Sequence, residues 1–101
     1  MQMTYFTIED KSGNQHVSSH PSDGTRSIVD LYPMKEQAED RTVDFDDPQN
    51  WRVVEVDQKQ WLEKMLLAGC TDVYDGSSCT DIRFLLTSLR AISHGRNLID
   101  D

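Results

Sequence analysis

A chain of 101 residues with eighteen acidic against ten basic side chains and a formal net charge of −8 has room for one domain, 1–101, and no second core. That field argues against direct nucleic-acid or anionic-membrane binding and favours cationic surfaces, and no run approaches the roughly twenty apolar residues of a membrane span. Two Trp, three Tyr and three Phe argue for an ordered core. Two cysteines, Cys70 and Cys79, with no basic-then-apolar leader over residues 1–6, predict a cytoplasmic chain with reduced thiols rather than a disulfide framework.

In chain order, Tyr5 to Glu9 is β-prone and Gln15 to Ser18 is its expected partner. The turn residues Gly13 and Asn14 lie between them, so an N-terminal hairpin is predicted. Ser18 to Arg26 is polar and reads as a loop. Ile28 to Tyr32 is a short apolar run, either a strand or a helical turn. Pro33 suits the first position of a helix, and Met34 to Arg41 favours a short one. Thr42 to Asn50 reads as an irregular acidic loop. Trp51 to Val56 is the clearest strand, with a β-branched run and alternating polar residues. Asp57 is placed to cap the following helix with Gln60 three residues on. Trp61, Leu62, Met65 and Leu66 recur at helical spacing, and Gly69 supplies the stop. Thr71 to Gly76 reads as a linker. A second capping pair, Ser78 and Asp81, opens a last helix with Ile82, Leu85, Leu86, Leu89 and Ile92 on one face, and 96–101 reads as a frayed tail. The expectation is an α+β fold: a small antiparallel sheet, formed by the hairpin and the strand near 51–56, with two C-terminal helices packed on one face.

Few constellations carry catalytic chemistry. Asp57-Gln58-Lys59 follows a strand, and with Asp46 upstream it resembles the acid-and-lysine strand end of PD-(D/E)xK nucleases, where acids hold Mg²⁺. The upstream pair Asp47-Pro48 runs in the reverse order, however, no second acidic strand or supporting parallel sheet is evident, and Asp57 as a helix cap with Lys59 solvated is the preferred reading. Asp44-Phe45-Asp46-Asp47 is a poor calcium loop, because Pro48 and Gln49 occupy the wrong places and the twelfth position, Glu55, falls inside a strand. His16, His20, His94, Cys70 and Cys79 lack zinc-ligand spacing apart from His16-x₃-His20. The glycines are isolated, so no phosphate loop is present. No catalytic residue, metal or cofactor is assigned.

The densest feature is the run from Glu36 to Asp47, with six acids, Glu36, Glu39, Asp40, Asp44, Asp46 and Asp47, against Arg41 alone. Spaced carboxylates on a rigid body can imitate a row of phosphates and occupy a cationic groove. Tyr32, Phe45 and Trp51 flank them as candidate aromatic anchors. In size, acidity and this run the chain resembles small phage-encoded inhibitors of the anti-CRISPR and DNA-mimic type. The resemblance is one of general character and carries no motif. It implies a non-enzymatic protein that blocks a basic, nucleic-acid-handling surface of a host protein or nucleoprotein complex. The alternatives are a scaffolding module that self-associates, as a homodimer along the last helix, and a small metal-dependent enzyme using Asp46, Asp57 and Lys59.

Overall fold

The computed structural model describes residues 4–20 and 22–89, and they form an α+β fold. Strands β1 (Thr4–Asp10), β2 (Val17–His20) and β3 (Asp23–Asp30) lead into helix α1 (Lys35–Val43). A 3₁₀ turn (Pro48–Asn50) then precedes β4 (Trp51–Asp57), α2 (Gln58–Leu67), β5 (Asp72–Tyr74) and β6 (Cys79–Asp81). Residues 82–89 are helical and are called α3. β1 and β4 make an antiparallel ribbon in unbroken register, from Thr4 opposite Asp57 to Asp10 opposite Trp51. The second sheet has the order β2-β3-β5-β6. Its central β3–β5 pair is parallel, which requires a long crossover, here supplied by α1, β4 and α2.

Three departures from the sequence-based expectation have physical causes. The 10–14 turn forms, with the Asp10 carboxylate accepting the Ser12 and Asn14 N–H groups at 2.9 Å each and Gly13 at φ +88°. It does not grow into a hairpin ladder: beyond one bridge between Glu9 and Gln15, β1 pairs with β4 instead. A seven-residue β-branched strand offers a longer and more apolar partner than Val17-Ser18-Ser19-His20, which pairs with β3. The expected loop over 18–26 is therefore mostly a second hairpin. It carries no alternation signal because the first residues of β3 are solvated and only Ile28, Val29 and Asp30 are buried. Likewise the expected linker at 71–76 contains β5. The strand is masked in sequence by Asp72, which is 4% exposed and gripped by Arg26 through two bonds of 2.9 and 2.7 Å.

Two apolar clusters hold these layers. Val29, Leu31, Trp61, Leu62, Met65, Cys70, Val73, Ile82 and Leu86 form one, with Tyr5, Val56, Leu85 and Leu89 against it. α2 and α3 thus share a core with β3 and β5 of the second sheet, not with a sheet built from the N-terminal hairpin and the 51–56 strand. Ile8, Tyr32 and Ala38 form the other, with Phe6, Phe45, Trp51, Val53 and Tyr74. Side chains alternate along a strand, so Tyr5 and Val56 point to one face of the ribbon and Phe6, Ile8 and Val53 to the opposite one, where α1 lies. Asp57 caps α2, accepting the Gln60 N–H at 3.1 Å. The cap of α3 is Asp81, which accepts from the Arg83 and Phe84 N–H groups at 2.8 and 3.3 Å; Ser78 instead belongs to the turn organised by Asp75. Ile92 and the 96–101 tail lie outside the described residues.

Candidate partner-binding surface

α1 begins after the extended residue Met34, with no side-chain cap, and its one buried residue is Ala38. At about 100° per residue, Glu36, Glu39, Asp40 and Val43 fall on the arc opposite Ala38. All four are exposed, and Val43 is 72% accessible. Asp44 caps the C-terminal end, and Asp44 and Asp46 are also exposed. Five of the six acids singled out in the sequence therefore point to solvent from one helix and its immediate extension.

Of the remaining candidates Tyr32 is buried, which corrects its assignment as a contact residue, while Phe45, Asp47 and Trp51 are half-buried and engaged with neighbouring side chains. Tyr32 is 1% exposed and cannot anchor a partner. Its hydroxyl donates to Asp30 Oδ1 at 3.0 Å, and burial, reinforced by the Asp30 charge, pushes its pKa far up. Asp47 accepts from Asn50 Nδ2 and Trp51 Nε1, each at 3.0 Å, and these bonds hold its carboxyl below the ordinary aspartate value. Phe45 stacks on the His16 ring with centroids 4.2 Å apart, and Trp51 meets the same ring edge-on at 4.8 Å. Phe45, Asp47 and Trp51 thus fasten the end of α1 to the start of β4 and give the outward acids a rigid mount.

Sequence reasoning missed the centre of that mount. Asp30, 3% exposed, bonds His16 Nδ1 at 2.9 Å and sits 3.6 Å from Arg41 Nε. The Arg41 guanidinium lies 5.0 Å from the Phe45 ring centroid, and its Nε is buried without a hydrogen-bond partner among the described residues. The signal was present: one acid inside the apolar run Ile28 to Tyr32 has to be paired once the run is buried. Beside Arg41, Asp44 and Tyr74 run two adjoining clefts of about 270 and 350 Å³, with Asp40 in the wall of the first and Asp30 and Cys79 in that of the second.

The catalytic alternatives are not assembled. Asp57 is engaged as a helix cap, and Asp46 precedes the opposite end of β4, a strand about 20 Å long. Asp46, Asp57 and Lys59 therefore do not converge. Among the described residues no group of three or more His, Cys, Asp or Glu side chains is placed to hold a metal ion. Burial pushes the thiols of Cys70 and Cys79 up, and for Cys79 the charges of Asp72 and Asp75 add to it, the opposite of an activated nucleophile. No helix among the described residues is long and apolar enough to cross a membrane. No protein-family model matches the chain, and no curated protein matches it.

Proposed function

We propose that this protein is a non-enzymatic binding protein that occludes a cationic, nucleic-acid-handling surface of a partner protein or nucleoprotein complex, in the manner of the small phage-encoded inhibitors it resembles in size and charge. The observation that carries this reading is that Glu36, Glu39, Asp40, Asp44 and Asp46 are all exposed, with Val43 among them, on α1 and the residues just after it, on a helix packed against the fold through Ala38, with Phe45 beyond its end. The backbone that carries these carboxylates is already ordered by the fold, so binding costs mainly side-chain freedom, and the exposed Val43 can be desolvated while the charges steer approach.

The test separates a shaped acidic face from mere net charge. A labelled oligolysine of about twenty residues serves as the cationic probe, long enough to span the face. Two variants raise the formal charge by about six each: Glu39→Lys/Asp40→Lys/Asp44→Lys on the face, and Gln58→Lys/Gln60→Lys/Glu63→Lys/Leu67→Lys/Ala68→Lys on α2 and its C-terminal cap. Fluorescence anisotropy across a salt series should show the first losing affinity by about tenfold or more and the second by less than about threefold. Equal losses would mean that only the overall field matters and would reject the site.

A further inference from the structure

We infer that the open edge of β4 is a docking site for an extended, Lys- or Arg-bearing segment of the partner, which adds as a further strand to the β1–β4 ribbon. The cationic character of the occupant rests on the function proposed above; the strand edge itself does not.

The hydrogen-bond pattern identifies the edge. Phe6 exchanges both backbone bonds with Tyr32 at 2.8 Å, Ile8 O accepts from His16 N–H at 3.0 Å, and Asp10 N–H donates to Asn14 O at 2.8 Å. The even-numbered residues of β1 therefore face away from β4. In an antiparallel pair the bonding alternates, so the register gives the β1–β4 bonds to Tyr5 with Val56, Thr7 with Val54 and Glu9 with Arg52. Val53 and Glu55 then direct their N–H and C=O groups outward. At the ends Trp51 N–H reaches Pro48 O and Asp57 leads into α2, but between them no partner for Val53 or Glu55 occurs on that side among the described residues. The strand is seven residues long, without proline or a register shift, and its open stretch runs from Val53 to Glu55. The outer strands of the other sheet are shorter: β2 has four residues and a register shift, and β6 has three. The β1 edge is already closed by Tyr32 and Gln15. Unpaired strand edges recruit further strands unless they are blocked.

Charge selects the occupant. Glu55 and Asp57 are exposed on β4, on the same face by alternation. The one base of the strand, Arg52, is held by Glu9 at 2.7 Å. A second copy would bring two chains of charge −8 edge to edge, with the two Glu55 side chains diagonal to each other across the pairing, which opposes self-association. A cationic strand meets the same acids favourably.

The test uses the whole chain and a synthetic peptide of alternating Lys and Val, with an alternating Glu and Val peptide as control, and reads amide hydrogen exchange by NMR. The Lys peptide should slow exchange at the Val53 and Glu55 amides by about tenfold or more, leaving Arg52 and Val54, already bonded to β1, unchanged. Glu55→Gln should weaken binding about threefold, and Glu55→Pro, which also removes the outward N–H, should abolish it. The exchange pattern of the unaltered chain decides the matter should the proline variant fail to fold. Binding of the Lys peptide with no protection at Val53 and Glu55 overturns the edge and leaves the acidic-face function standing. Equal protection by the Glu peptide overturns the cationic occupant. Protection that appears without peptide and grows with protein concentration, alongside a dimer mass, assigns the edge to a second copy and overturns the proposal. Failure of both the Lys peptide and oligolysine to bind removes the proposed function as well.

Discussion

A single buried carboxylate, Asp30, organises the junction on which the acidic face stands. It bonds the Tyr32 hydroxyl and the His16 ring and is the nearest acid to the buried Arg41 Nε. Truncating one member of a buried charged group leaves the others desolvated and unpaired. Asp30→Ala should therefore destabilise the fold by about 3 kcal/mol or more, whereas Asp30→Asn keeps an acceptor for Tyr32 and should cost clearly less. Urea melts of the two variants check this, and equal losses would mean that the negative charge, which both variants lack, matters there rather than the acceptor kept for Tyr32. The same environment shows why Tyr32 was misplaced from sequence as an anchor. Tyr32, Phe45 and Trp51 flank the acids in the chain, but nothing in residue type says whether an aromatic beside a charge run turns outward or inward. The answer lies in His16 and Asp30, which are distant in sequence from Phe45 and Trp51.

Among the elements, those whose ends carry their own chemistry were legible. α2 has its Asp57 cap, its apolar face of Trp61, Leu62 and Met65, all buried, and Gly69 at φ +95° after the last turn. Asp57→Ala should cost about 1 kcal/mol through the lost bond to the Gln60 N–H, and Gly69→Ala about as much because a Cβ disfavours positive φ. Thermal melts that leave both variants at the parental midpoint would contradict the account of this helix. β4 was legible for a similar reason, as a β-branched run needs no context. β2, the first half of β3 and β5 were hidden. Their residues are mostly polar, and what makes them strands is non-local: the ladder with each other, and the Arg26 grip on Asp72. Helical spacing separated Glu36, Glu39 and Asp40 from Ala38, but whether the acids from 36 to 47 share a face was not legible. The open edge of β4 was invisible, because it depends on which neighbour β1 chooses.

For the whole molecule, the charge that favours binding works against the fold. A surplus of eight negative charges destabilises the compact state near neutral pH, and partial protonation relieves it. A second effect runs the other way. Asp10 is held below the ordinary aspartate value of 3.8 first by the Asn14 backbone N–H, Asp23 by the Thr25 hydroxyl, and Asp47 by the Asn50 side chain. A depressed folded-state pKa contributes stability that is complete above the unfolded value and is lost as pH falls through the folded value. The melting temperature should therefore rise modestly from pH 7 toward about 5 and then fall below about 4. Asp23→Asn and Asp47→Asn should flatten the acid limb, because the stability these carboxylates add above about pH 4 is then missing at every pH. Added salt at pH 7 should raise the melting temperature by screening the surplus. The Glu39→Lys/Asp40→Lys/Asp44→Lys variant then makes the sharpest case. It removes acids from a surface with few internal partners and adds bases near the C-terminal end of α1, where the helix dipole favours them. It should bind the cationic probe worst and yet melt above the parent at low salt, with the difference shrinking as salt is added. A lower melting temperature for that variant would show that these acids hold the fold together, and would remove the reason for reading them as a surface kept for a partner.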